Sequence, residues 1–140
     1  MSGETIEIRL DGEPVAKARA RYASKTGHFH PEPKTAAFEL QLQWAAKIAM
    51  KNRAPLTGAI QMTFIAFLPI PKSWSAKDHI AALRGEIYPT AKPDWDNSGK
   101  ITDALNKIVW LDDAQVVMAT VHKRYSDRPR LEISITPLDG

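Results

Sequence analysis

The 140-residue chain contains no cysteine. That excludes a disulfide framework, a Cys-based zinc site and a thiol nucleophile, and nothing argues for an oxidising compartment, so the cytoplasm is the expected location. Long apolar runs are missing as well. The longest, Ala59 to Ile70, holds Gln61 and Pro69 and is too short to cross a bilayer, so no membrane span is expected. The opening MSGETIEIRL carries Glu4, Glu7 and Arg9 where a signal peptide needs an uninterrupted apolar core. There is little charge imbalance: 19 Lys and Arg against 16 Asp and Glu leave a net charge of +3, which does not by itself imply nucleic acid. No glycine-rich phosphate loop, zinc signature or Ser-His-Asp order is present to support other enzyme classes. Internal repeats, low-complexity tracts and linkers are lacking too, so residues 1–140 read as a single domain, long enough to bury a core.

What is present alternates between strand and helix patterns. Ile6, Ile8 and Leu10 alternate with Glu7 and Arg9, the period of a half-buried strand, and Asp11 to Pro14 is a turn signal. Lys34 to Lys51 has no Gly or Pro and predicts an amphipathic helix. Phe38, Leu42, Ala45, Ile48 and Ala49 form its apolar stripe, Leu40 and Trp44 widen it, and Trp44 reads as a packing residue. Ala59 to Leu68 is apolar on both alternating faces and reads as a central strand covered on both sides. Ser75 with Asp78 resembles a capping box opening a short helix that Gly85 stops. A further helix, capped by Asp96 or Asn97, is expected to run to about Val109 with Ile101, Ala104, Leu105 and Ile108 buried. Gln115 to Tyr125 and Leu131 to Thr136 read as strands pairing in a terminal hairpin. The order ββαβααββ is an α+β layout with a mixed sheet.

Charge is distributed unevenly. From Pro14 to Phe38 there are Lys17, Arg19, Arg21, Lys25 and Lys34 against one acid, Glu32, and Lys17, Arg19 and Arg21 occupy alternate positions that share a face if extended. The stretch Lys92 to Asp113, KPDWDNSGKITDALNKIVWLDD, holds five of the 16 acids. Asp94 and Asp96 flank one residue, Lys100 follows Asp96 by one helical turn, and Asp112-Asp113 closes the segment. A turn at the helix start would gather Asp94 and Asp96 around one ion. Carboxylates without histidine or cysteine suit Mg²⁺, which keeps several waters and binds phosphate oxygens directly. Lys100 would then reach the reacting phosphate.

Structural alternatives stay open at this point. Asp and Asn are common caps, Asp96 and Lys100 could form a plain ion pair, Asp112-Asp113 could cap a turn, and Lys17, Arg19 and Arg21 could be a solvated strand face. His28 and His30 lack a third nearby ligand and read as exposed or partner-contacting. A calcium EF-hand fails: DWDNSG matches its opening, but the twelfth position is Leu105 instead of a bidentate Glu.

The run KPDWDNSGKITDALN followed by WLDDAQV resembles the RusA family of Holliday junction resolvases, and GEPVAKARARY (Gly12 to Tyr22) resembles that family's basic region. The resemblance implies that Asp94, Asp96 and Asp113 bind Mg²⁺, for which Mn²⁺ can substitute, that Lys100 assists catalysis, and that Lys17, Arg19 and Arg21 contact DNA. It also implies a RusA-like fold and a homodimer that cuts two symmetric strands of a four-way junction, leaving 5′-phosphate ends. The competing expectations are a noncatalytic branched-DNA-binding protein and a metal-dependent phosphohydrolase acting on nucleotides.

Overall fold

The computed structural model describes residues 4–17, 21–23, 28–30 and 33–138, with 21–23 and 28–30 described by backbone alone. Four strands form the main sheet: β1 (Ile6–Asp11), β4 (Ile60–Pro69), β5 (Val116–Ser126) and β6 (Arg130–Pro137), in the order β1-β6-β4-β5. β1 and β4 each run antiparallel to β6, whereas β4 and β5 are parallel, so the sheet is mixed as expected. A separate antiparallel pair, β2 (Arg21–Ala23) and β3 (His28–His30), lies in the stretch for which the sequence suggests a strand through Arg21 and then a loop from Ser24 to Pro33.

Alternation in β1, β4 and β6 decides which face is buried. Ile8 pairs with Ile133, which pairs in turn with Phe64, so one row of apolar side chains crosses three strands. Over this face lies α1 (Pro33–Met50), which buries Thr35, Phe38, Leu42, Ala46 and Met50. Pro33 suits the first helical position, where its missing N–H costs nothing. The far end of α1 closes with Lys51 and Asn52 at positive φ, while the Arg53 side chain donates to the carbonyls of Ala49 and Met50, the latter also accepting from the Arg53 N–H.

Four expectations are corrected. Ile48, expected in the buried stripe of α1, is exposed, as are Leu40 and Trp44. Apolar residues occupy both sides of this helix, and periodicity alone does not say which side docks. β4 is central, but only one of its faces is fully buried; the other is half-buried, with the Arg130 guanidinium 3.8 Å from the centre of the Phe67 ring. β5 and β6 do not form a hairpin: β4 lies between them, parallel to one and antiparallel to the other. The helix expected to reach Val109 is α3 (Trp95–Lys100), which tightens into a 3₁₀ turn over Ile101–Leu105. There the Thr102 hydroxyl donates to the Gly99 carbonyl at 2.7 Å, competing for a helix acceptor. α2 (Ala76–Leu83) is capped by Ser75, whose hydroxyl accepts from the Asp78 N–H, and Gly85 follows at φ +76°.

Candidate active site: an acidic turn beside a basic strip

The approach to the acidic turn is held from beneath by β5. Lys123 donates its ammonium to the carbonyls of Ala91 (2.9 Å) and Pro93 (2.8 Å), on either side of a cis Lys92–Pro93 bond. α3 then seats on β5 through its small residues. A Cβ added at Gly99 would lie 3.4 Å from Val121 Cγ2, and Ser98 is buried with no partner for its hydroxyl among the described residues. A side chain extending beyond Cβ at Gly99, or a larger one at the buried Ser98, would push the turn outward.

Asp94, rather than Asp96 or Asn97, is the residue that starts α3, and its carbonyl accepts from the Ser98 N–H at 2.9 Å. Its carboxylate makes no cap hydrogen bond and stands half-exposed, 3.5 Å from the Lys92 ammonium. Asp96 accepts from the Asn97 N–H through Oδ1 (3.0 Å), and its Oδ2 lies 4.0 Å from Lys100 Nζ, as the four-residue spacing predicts. Between the two acids Trp95 is 66% exposed, so a flat apolar surface stands on the rim.

Asp112 and Asp113 sit on a 3₁₀ turn (Asp113–Gln115) that Asp112 caps by accepting from the Ala114 N–H. Gln115 brackets this turn: its Oε1 accepts from the N–H groups of Leu111 (2.8 Å) and Asp112 (2.9 Å). Its Nε2 donates to the carbonyls of Leu56 (2.9 Å) and Gly58 (3.0 Å). The neighbouring Asp112 carboxyl, with some desolvation and the nearby charge of Asp103, holds Asp113 above the ordinary carboxylate range. The Asp113 carboxyl in turn, helped by the Ala114 N–H and Lys107, holds Asp112 below it.

The basic strip meets this turn directly. The Lys17 backbone N–H donates to the Asn97 carbonyl at 2.9 Å. Its ammonium pairs with Glu39 of α1 at 2.9 Å and lies 3.9 Å from Asp103. Lys17 therefore ties α1, the strip and the 3₁₀ turn together instead of projecting freely. Arg19 lies outside the described residues, as do the side chains of Arg21, His28 and His30. Lys17, Lys34, Lys92, Asp94 and Asn97 line one shallow cleft of about 390 Å³.

Asp94, Asp96 and Lys100 are thus gathered on one short helix, while Asp113 stands on a separate 3₁₀ turn. Among the described residues no three His, Cys, Asp or Glu side chains converge into a ready-made cage. The donors present are carboxylates, which fit a hard cation that takes one or two of them and fills its shell with water and phosphate oxygens. Sequence reasoning missed Gln115, Lys123 and Lys92. Lys123 sits in the polar run His122-Lys123-Arg124 of β5 and carried no signal of its own, whereas Asp103, seven residues after Asp96, falls on the same helical face.

Two comparisons bear on this arrangement. The family model described as Endodeoxyribonuclease RusA matches residues 11–136. The uncharacterized protein YqaN of Bacillus subtilis (strain 168) is 37% identical over 139 residues, covering 94% of this chain and 96% of that protein.

Proposed function

The chain belongs to the RusA endodeoxyribonuclease family, and from that membership we propose that it is a Mg²⁺-dependent, structure-selective nuclease that resolves four-way DNA junctions in recombination and repair, acting as a homodimer in the cytoplasm. The observation that carries this reading is the bond from Lys17 to Asn97, which brings basic strip and acidic turn to one cleft. Acids alone would repel a phosphate backbone, and cations alone would only hold it.

In this reading Asp94, Asp96 and Asp113 hold Mg²⁺ or Mn²⁺, which when bound supplies Lewis-acid charge at the phosphate and a more acidic water. Asp94 suits the role because its carboxylate is not used in capping its helix. Lys100 stabilises the negative charge that builds on the phosphate oxygens, its side chain being 60% exposed and its ammonium only loosely paired with Asp96. Lys34 and Lys92, with Arg19 and Arg21, hold the DNA backbone without reading sequence, while Lys17 keeps the strip against the turn. Trp95 offers a stacking surface for a base exposed at the branch point. A junction has approximate two-fold symmetry, so a dimer presents two equivalent sites to two equivalent phosphodiesters.

Paired symmetric nicks in a labelled synthetic four-way junction, absent from the matched linear duplex and abolished by EDTA, are the expected result. Binding of the junction without cleavage in Mg²⁺ or Mn²⁺ would make this a binding module whose acids are structural. Hydrolysis of free nucleotides in preference to DNA would favour a phosphohydrolase.

A further inference from the structure

Where α2 meets the outer strand of the sheet, two arginines stand without a partner. Phe67 of β4 lies in register between Arg130 of β6 and Arg124 of β5. Arg130 is fully engaged: it covers the Phe67 ring and donates to Glu132, the Ser126 hydroxyl and the Arg128 carbonyl. Arg124 instead reaches the segment after α2, where a Cβ added at Gly85 would lie 3.9 Å from its Nη1. Among the described residues neither the Arg124 nor the Arg84 side chain makes a hydrogen bond or an ion pair. Both line a cavity of about 240 Å³ whose other walls include Phe67, Tyr88 and Tyr125. We propose that this cavity holds one unstacked nucleotide of the DNA strand that enters the acidic turn, its phosphate on Arg84 and Arg124 and its base against the Tyr88 ring.

The lining selects that chemistry. Two unpaired guanidiniums, with no carboxylate among the described lining residues, favour an anion over a cation, and their planar forks suit phosphate oxygens. Aromatic walls add a surface on which a base of any sequence can stack, and basic groups interleaved with aromatic ones are the usual means of holding single-stranded nucleic acid. Tyr88 is 61% exposed, so its ring is open to such a base. Pockets for whole small molecules begin at about 300 Å³. A cavity of about 240 Å³ suits one base with its phosphate at the rim.

The position selects DNA over a free nucleotide. Tyr88 comes four residues before Lys92, which lines the cleft of the candidate active site. Arg124 follows Lys123, whose ammonium holds the Ala91 and Pro93 carbonyls on the approach to Asp94. Val121, against which Gly99 of α3 seats, is three residues from Arg124, or about 10 Å along β5. That is about three steps of a DNA strand. Bases next to a branch point are already poorly stacked, so drawing one out costs least there. The inference rests on the reading of branched DNA as the substrate, and adds where the strand beyond the cut is held.

Photocross-linking in EDTA tests the pocket without cleavage. Four-way junctions carrying 5-iododeoxyuridine at successive positions around the branch point are irradiated with the full chain, and the linked residue is located by mass spectrometry. The expected result is a link to Tyr88 from one or two adjacent positions about three nucleotides from the cut, and none from positions far along an arm. In the Arg84→Ala/Arg124→Ala double variant, junction affinity should fall by about tenfold or more and the log–log salt slope by about 0.9. Its circular dichroism melt should not change, because both side chains are exposed. No link to Tyr88 from any position, or wild-type affinity in the double variant, would overturn the proposal. Saturable binding of thymidine 5′-monophosphate, lost in the double variant and without any DNA link to Tyr88, would overturn it in favour of a free-nucleotide site. The nuclease assay above is read separately: symmetric cleavage without a Tyr88 link counts against this pocket alone, and a Tyr88 link without cleavage in Mg²⁺ counts against the nuclease reading alone.

Discussion

At the scale of single residues, the acids and the lysine of the central stretch divide the chemistry unequally. The adjacent carboxyls of Asp112 and Asp113 push each other's proton affinities apart, downward for Asp112 and upward for Asp113. The raised group binds its proton more tightly in the folded chain, so Asp113 favours folding as pH falls through its titration. Asp112 favours folding above its unfolded value and loses that contribution on acidification, so the two act in opposite directions. Carboxyl-detected NMR titration should find Asp113 above the ordinary range and returned toward it in Asp112→Asn; an unchanged Asp113 would discount the pairing. Lys100 is separable from the fold. Its pair with Asp96 is long and exposed, so Lys100→Met should change stability by less than about 1 kcal/mol. The same variant should lower single-turnover cleavage by about 10²–10³-fold at unchanged junction affinity. Asp94, Asp96 and Lys100 were legible in the sequence because their geometry is local, one turn of one helix. Gln115 and Lys123 were not, because each acts on carbonyls about 30 to 59 residues away in the chain.

At the scale of elements, the site depends on two short pieces held by few groups. Gln115 satisfies two N–H groups and two carbonyls at once. Gln115→Ala should therefore cost about 1–3 kcal/mol and lower Tm by several degrees. Its counterpart is Ser98→Ala. The buried Ser98 hydroxyl has no partner among the described residues, so removing it should leave Tm unchanged or raise it. A loss of several degrees would show that the hydroxyl is bonded after all. β1, α1, β4 and α2 were legible from alternation, helical spacing and the Ser75 cap. What failed was non-local. Nothing in the sequences of β5 and β6 says that β4 will lie between them, since each has an apolar face that would suit a hairpin equally well. Where α3 tightens into the 3₁₀ turn, the Thr102 hydroxyl takes the Gly99 carbonyl, a bond that the sequence does not announce because threonine there reads as an ordinary helix residue.

At the scale of the whole molecule, a mildly basic chain brings Lys17, Lys34 and Lys92 together with Asp94 in one cleft. Phosphate contacts release counterions, so junction affinity should fall steeply with salt. Lys34→Ala should weaken binding across all sequences and flatten the log–log salt slope by about 0.9; an unaltered slope would remove Lys34 from the interface. The layout of basic strip and acidic turn was visible in the sequence, whereas their joining through Lys17 and Asn97 required the fold. The central claim is that the acids act on the phosphate that the cations hold, and one comparison addresses it most directly: junction binding and junction cleavage measured side by side for the wild type and Asp94→Asn. The account predicts that Asp94→Asn binds as tightly as the wild type or slightly tighter, while cleavage falls by about 10²-fold or more. Cleavage at the wild-type rate by Asp94→Asn would contradict it.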